Sequence, residues 1–405
     1  MQKKIQTEVA IVGGGVVGSA LALALAQQGV DVVLTEARAP EFFDASQYDL
    51  RVFALSLASV ALLERIGVWS VSCSMRVSPY QAIKVWEKNL RDQVAFESAL
   101  IGEEQLGWIV EDRVLRAASW QALQNIKGVR MLCPARAIEV HAHAKQALLK
   151  LDDGQEISAQ LVVAADGVFS PLREQVGIEV FGHAYHQRAV VTHVQSEKPH
   201  QGTAWQRFTP EGPLAFLPLV DGRSSIVWSV QDAVAESLLG LDDLSFCDKV
   251  TEAFDGRLGK ISACTSRAAF PLRLQLSRCY VGDRVVLVGD SAHVVHPLAG
   301  QGLNLGLQDV AVLAQVLVNA RRQSADFGEP STLRFYDRLR RRQAQLSALA
   351  FDGIEGAFRG DLPGFSWARR QVMSWINSSR TLKRELTRHA SGWVGQVPDL
   401  MRRRV

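Results

Sequence analysis

The chain has 405 residues, 47 % of them hydrophobic and 21 % charged, with a formal net charge of +3. That length and composition suit a soluble globular protein of two or three packed units and exclude a disordered, collagenous or coiled-coil chain. The charge is uneven, because residues 331–405 carry 15 Lys/Arg against 6 Asp/Glu and leave the rest net acidic. A basic end of this kind either attracts an anionic surface or is a solvated helical face.

The first elements read as a βαβ unit. Residues 8–12 are apolar and β-branched, Gly13 to Gly18 turn the chain, residues 19–28 are rich in Ala and Leu, and Gly29 is placed to end the helix. Residues 31–36 (DVVLTE) form a second β-branched run. The uncharged stretch 9–26 also resembles a secretory signal or a short membrane span. Its glycines are poor helix material and favour the βαβ reading. Further on, 161–165 (LVVAA) and 284–288 (RVVLV) read as strands buried on both faces, leading into Asp166-Gly167 and Gly289-Asp290. Residues 187–230 differ: the alternating stretches 203–208, 214–219 and 224–230, separated by turn residues, read as antiparallel sheet. From Leu303 the pattern is mainly helical, broken at Pro330 and Pro363.

Cys73, Cys133, Cys247, Cys264 and Cys279 form no C-x-x-C pair, and an odd, widely spaced set is not a disulfide framework. They fit a reducing, cytoplasmic compartment. His293 and His296 have no cysteine or carboxylate at ligand spacing, so no metal is expected.

Gly13-x-Gly15-x-x-Gly18 lies between a predicted strand and a predicted helix. The first glycine permits the tight turn, the second lets a pyrophosphate approach the backbone, and the third lets helix pack on strand. The helix N-terminus offers free N–H groups and positive dipole to phosphates. Glu36, at the end of the next strand, can accept from a ribose hydroxyl and would repel a 2′-phosphate, which disfavours NADP in this pocket. The competing reading is a glycine-rich turn that only holds helix to sheet. FAD is separated from NAD by the later run Gly289-Asp290 through His293, His296, Pro297, Gly300, Gln301 and Gly302 to Asn304. There Asp290 can bond a ribityl hydroxyl, and a second turn offers N–H groups to the electron-rich edge of a flavin ring.

Together these motifs resemble the class A flavoprotein aromatic monooxygenases: an N-terminal GxGxxG, a middle Asp166-Gly167 followed by Ser170 and Arg173, and a late Gly289-Asp290. The chain is more closely similar to the ubiquinone-biosynthesis hydroxylases, of the 2-polyprenylphenol hydroxylase type, through Asp49-Leu-Arg51, residues 63–69 (LERIGVW), the spacing of Phe216-Leu-Pro218 and Trp228, and residues 296–304 (HPLAGQGLN). The likeness reaches to about residue 345.

The resemblance implies an α/β fold: a Rossmann-like FAD-binding domain with a parallel sheet, an antiparallel-sheet substrate domain and a C-terminal helical segment. The expected division is 1–69, 111–180 and 276–330 for FAD, 70–110 and 181–275 for substrate, and 331–405 as the basic helical region. It implies tightly bound FAD, NAD(P)H as a transient reductant, and O₂, with hydroxyl transfer from a flavin C4a-hydroperoxide to a polyprenylated phenol or quinol. Gly13, Gly15, Gly18, Glu36, Arg51, Arg113, Asp166, Gly167, Gly289 and Asp290 are then expected along FAD, with Pro297, Gly300, Gln301, Gly302 and Asn304 bordering its ring. For Arg51 and Arg113 a surface ion pair is the blander alternative.

The resemblance implies that the flavin carries the chemistry; no catalytic residue is fixed, and His296 and Pro297, with His293 in the same segment, are the candidates. Trp205, Phe216, Trp228 and Phe270 are candidates for the substrate lining, although aromatics at strand spacing also make plain core. A polyprenyl tail gives the basic end a role at the inner membrane surface, with Arg338, Arg340, Arg341 and Arg342 preceding Leu346, Leu349 and Phe351. Contact with other ubiquinone-pathway proteins is a second use for it; no nucleic-acid partner is expected, and the oligomeric state stays open. Two other functions also stay open: a hydroxylase of a small soluble aromatic acid, and a non-catalytic flavoprotein.

Overall fold

The structure, a computed structural model, describes residues 4–41, 43–87, 93–295, 302–359, 375–393 and 396–402. The apolar runs near residues 9, 32, 161 and 285 become adjacent strands, since only a sheet covered on both faces hides them completely. Across that sheet the order is Val281–Gly282, Val285–Leu287, Glu156–Ala164, Lys4–Val12, Val32–Thr35 and Val129–Leu132. From Val285–Leu287 to Val129–Leu132 every pairing is parallel. A hairpin of Ala137–Ala142 and Ala147–Leu151 continues antiparallel from Glu156–Ala164.

Helix Val16–Ala26 is apolar all round and almost wholly buried, as expected of a helix with no solvent face. Each of Leu21, Leu23 and Leu25 contributes about 1.5–3 kcal/mol by leaving water. Gly29, at φ +76°, ends the helix by donating its N–H to the Ala26 carbonyl. The long helix Gly302–Arg322 packs against it. Although long and apolar enough to cross a bilayer, Gly302–Arg322 is mostly buried inside the protein.

A second sheet has nine strands, including, in order, His293–Val294, Ala268–Ser277, Val180–Ser196, Ser224–Gln231, Gly212–Pro218, Thr203–Thr209, Ala82–Glu87 and Val94–Glu97. Its pairings are antiparallel except for Thr203–Thr209 with Ala82–Glu87, which run parallel. Period-two alternation gives each strand one side chain per face in turn. One face carries Trp86, Leu214, Phe216, Ile226 and Trp228 and is covered by helices Asp232–Gly240 and Asp243–Ala253, which contribute Phe246 and neighbouring Phe254. Phe216 stacks on Phe254 with ring centroids 3.8 Å apart. The other face carries Ala189, Val191, Val227 and Leu272 and meets Leu50 from the nucleotide half. A small sheet of Val52–Ser56, Gly107–Glu111 and Ser78–Tyr80 lies between the two.

The long helix Pro330–Arg359, followed by the shorter Arg380–Ala390, buries Leu333, Tyr336, Ala344 and Ala348. Its outer stripe is Arg334, Phe335, Arg338, Arg342, Leu346 and Leu349, all exposed and spaced at intervals that return to one helix face. This corrects the expected membrane face: Arg340 and Phe351 are buried, and Arg341 is half-buried against Asp337 and the Arg278 carbonyl. A run of consecutive arginines cannot share one helix face, and packing chooses which of them turns inward.

Candidate active site

Three turns at strand ends build the site. After Lys4–Val12 the chain reverses at Gly13, which has φ +109°; a Cβ there would stand 2.2 Å from the Ala165 carbonyl oxygen. A Cβ on Gly18 would stand 1.9 Å from the Gly13 oxygen, so both glycines are demanded by close backbone approach. Gly15 differs. It caps helix Val16–Ala26 with no side-chain partner, and the space where its Cβ would stand is open to 4 Å. Open space in front of a helix N-terminus fits a pyrophosphate.

Glu36, one residue beyond Val32–Thr35, accepts the Gly14 N–H at 2.7 Å through Oε2 and the Arg38 N–H at 3.0 Å through Oε1. Each carboxylate oxygen keeps acceptor capacity for a ribose hydroxyl. Trp120 Nε1 donates to the Gly14 carbonyl at 2.8 Å, fixing the turn from the other side.

The second turn follows Glu156–Ala164. Gly167 has φ +89°. Asp166 Oδ1 is buried with no hydrogen-bond partner among the described residues, while Oδ2 accepts a long bond from the Leu172 N–H at 3.4 Å. Burial pushes the Asp166 carboxyl above its ordinary value. An orphaned buried acceptor calls for a donor from outside the protein, and a flavin's ribityl or ribose hydroxyl supplies one. Ser170 caps the short helix Pro171–Gln175. Arg173 donates to the carbonyls of Val168, at 3.1 Å, and Ser291, at 3.0 Å, tying the second turn to the third.

In the third turn Gly289 has φ +61° and Asp290 is exposed. Asp290 lies close enough to Asp112 to help hold that carboxyl up, burial being the larger cause and Arg51 opposing it. Arg51 is exposed with its guanidinium 5.1 Å from the Phe53 ring centre, and Arg113 pairs with exposed Glu41 at 2.9 Å. Arg113 N–H also donates to Asp49 Oδ2. Asp49, Arg51 and Asp290 thus all lie close enough to Asp112 to act on its charge.

One set of expectations falls on residues that are not described, and two others meet a different arrangement. His296, Pro297, Gly300 and Gln301 lie outside the described residues; Gly302 opens the helix Gly302–Arg322. Asn304, expected beside the ring, is spent within the protein: Oδ1 accepts from Ser56 N–H at 2.9 Å and Ser59 Oγ at 2.7 Å, and Nδ2 donates to the Ala54 carbonyl at 2.8 Å. Trp205, Phe216 and Trp228 are corrected as substrate-lining residues. All three belong to the helix-covered face of the second sheet, the wrong side of a period-two strand. Phe270 pairs with Ala189, lies on the face turned to the nucleotide half, and is half exposed.

One group escaped the sequence reading. Asp309, fully buried, accepts from His293 Nε2 and Arg340 Nε, each at 2.6 Å, and from the Gly289 N–H at 2.8 Å. It holds the third turn from beneath. A carboxylate 20 residues past Gly289 and an arginine in a basic run look like solvated surface in sequence. The one available signal was an isolated Asp amid the apolar face of a helix.

Residues 6–348 match the family described as FAD binding domain. The chain is 38 % identical over 387 residues to the 3-demethoxyubiquinol 3-hydroxylase of Escherichia coli, covering 95 % of this chain and 98 % of that one. It is 37 % identical over 392 residues to the ubiquinone hydroxylase UbiL of Rhodospirillum rubrum, covering 97 % and 91 %. The crystal structure of p-nitrophenol 4-monooxygenase PnpA from Pseudomonas putida superposes over the whole of both chains with a TM-score of 0.79 at 18 % identity, a likeness of fold. Three glycine turns packed together, an orphaned acceptor at Asp166 and these relationships agree, and the chain belongs to the FAD-binding flavoprotein monooxygenases, the family of the ubiquinone-biosynthesis hydroxylases.

Proposed function

We propose that this FAD-dependent monooxygenase uses NAD(P)H and O₂ to hydroxylate a polyprenylated phenol or quinol in ubiquinone biosynthesis. The observation that carries the reading is the packing of three strand-end turns against one another, with the 38 % identity to a 3-demethoxyubiquinol hydroxylase over nearly the whole chain. The N–H groups around Gly15 would bind pyrophosphate, Glu36 a ribose hydroxyl, and Asp166 and Asp290 hydroxyls further along the cofactor. Bound FAD supplies the redox chemistry, taking electrons from the nicotinamide cofactor and delivering an oxygen atom from O₂ to the ring. The chain's own residues orient the two partners and exclude water.

The alternative substrate, a small aromatic acid, would need a free cation on the face turned to the cofactor. Of the cations within residues 187–230, Arg207 donates to carbonyls on the helix-covered side, Arg223 pairs with Asp221, Arg188 pairs with Asp232, and Lys198 is exposed. The basic, apolar stripe Arg334–Leu349 supports peripheral contact with an anionic leaflet where a polyprenylated substrate resides.

The first test is an absorbance spectrum of the purified protein before and after acid release. Flavin bands with FAD released, and phenol-stimulated NAD(P)H oxidation that yields a hydroxylated ring, are expected. NAD(P)H oxidation that no prenylated phenol stimulates would overturn the substrate reading.

A further inference from the structure

The cofactor-side face of the second sheet is apolar for most of its length and ends in two polar side chains. Directly opposed residues on this face run Phe270–Ala189–Ser229, then Ala268–Val191–Val227, then His193–Ser225. His193 is 1 % exposed and Ser225 fully buried. His193 Nε2 lies 3.1 Å from the Asp49 carbonyl oxygen. A carbonyl only accepts, so Nε2 carries the proton and the neutral ring keeps its lone pair on Nδ1. That Nδ1 has no hydrogen-bond partner among the described residues, and neither has Ser225 Oγ.

Buried polar atoms are nearly always paired. Two unpaired ones on adjacent strands, in directly opposed positions at the end of an apolar strip, form a complementary set: one acceptor and one hydroxyl that can donate. We propose that His193 Nδ1 and Ser225 Oγ bind the ring hydroxyl of a phenolic substrate. His193 accepts its O–H, Ser225 donates to its oxygen, and the apolar strip takes the ring. The proposal rests on the phenol reading above and gives it a docking point. A hydroxyl that donates to an imidazole also pushes electron density into its ring, which favours attack by an electrophilic oxygen. Tyr48 stands edge-on to the His193 ring with centroids 5.9 Å apart. Burial holds the imidazole's titration below its ordinary value; the hydrogen bond to the Asp49 carbonyl opposes this, Arg223 adds to it, and the Asp221 and Asp49 carboxylates oppose it. Nδ1 therefore remains an acceptor at neutral pH.

The test uses the full-length FAD-loaded protein, 2-(3-methylbut-2-enyl)phenol and its O-methyl ether, with binding read from the flavin spectrum. The ether keeps the apolar body and loses the donor. Wild type is expected to prefer the phenol about tenfold, the worth of one to two hydrogen bonds. His193→Gln keeps a donor for the Asp49 carbonyl and removes Nδ1, so its preference should fall close to one. Ser225→Ala should weaken both compounds about threefold and leave the preference in place, since phenol and ether each keep an oxygen that accepts. If wild type binds phenol and ether equally, or if FAD-loaded His193→Gln keeps the full preference and Ser225→Ala binds both compounds as tightly as wild type, the assignment is overturned while the enzyme's phenol chemistry stands. If wild type binds neither compound, the phenol reading fails and takes this assignment with it. Should His193→Gln not fold, Ser225→Ala, a change of one atom, and the wild-type comparison still decide.

Discussion

Asp309→Ala isolates the buried contact that joins the third turn to helix Pro330–Arg359. Asp309 is fully buried and Arg340 is 1 % exposed, with 2.6 Å between carboxylate and guanidinium. Removing one partner of such a pair leaves a buried charge uncompensated and costs about 3–5 kcal/mol, a large share of a typical net stability of about 5–15 kcal/mol. At about 2–4 °C per kcal/mol, the melting temperature should fall by about 6–20 °C, toward the lower end for a chain of this length. FAD should be held less tightly as well, because the Gly289 N–H loses its acceptor.

The assay is a thermal scan at fixed excess FAD, since ligand alone shifts the midpoint, run on Asp309→Ala, Arg340→Met and the double variant. The double variant should lose less than the sum of the singles, because it strands no charge on Arg340. A shift below about 2 °C for Asp309→Ala, or strict additivity, refutes the coupling. The pH sign follows from the carboxyl. Burial pushes it up, but His293 and Arg340 more than reverse this and hold it below its ordinary value. Its contribution is therefore complete above the unfolded value near 3.9 and drains as pH falls through the folded one. The carboxyl's share of the gap between wild type and Asp309→Ala should therefore close only in acid, as pH falls through the folded value.

Gly15→Ala and Gly18→Ala should separate binding from folding. The open space at Gly15 lets the apoprotein melt normally, within the about 1 kcal/mol that alanine costs at a helix cap, yet FAD uptake should drop at least about tenfold because the methyl occupies the phosphate's approach. Gly18→Ala, with its Cβ 1.9 Å from the Gly13 oxygen, should destabilise the apoprotein itself by about 1–3 kcal/mol or more. Equal effects on apoprotein melting would refute this division. On the outer stripe, Arg338→Glu/Arg342→Glu should cut binding to anionic liposomes at least about tenfold at low salt, given about 1 kcal/mol per basic residue near such a surface. Sedimentation with liposomes checks this, and a wild-type protein that ignores anionic liposomes at low salt removes the membrane role.

The sequence by itself determined the parts whose cause is local. Gly13 and Gly18 announce a tight turn because a Cβ at either would meet backbone, and Gly15 announces a phosphate approach because its missing side chain leaves the helix N-terminus open. Unbroken Val and Leu runs announce strands covered on both faces. Alternation in 203–230 announces antiparallel strands, and these appear within a residue or two of the expected bounds. Only the tertiary structure decided which way each strand faces. Alternation separates odd from even positions and does not say which set meets the cofactor side; the large aromatics Phe216 and Trp228 went under the helices, and Ala189, Val191, His193 and Ser225 took the other face. It also decided that Thr203–Thr209 pairs in parallel with Ala82–Glu87, a contact between segments over a hundred residues apart. Arg340 looked like one more surface cation until Asp309, on another helix, gave it a counter-charge. A buried ion pair is a property of two distant positions at once, and neither residue alone carries its sign.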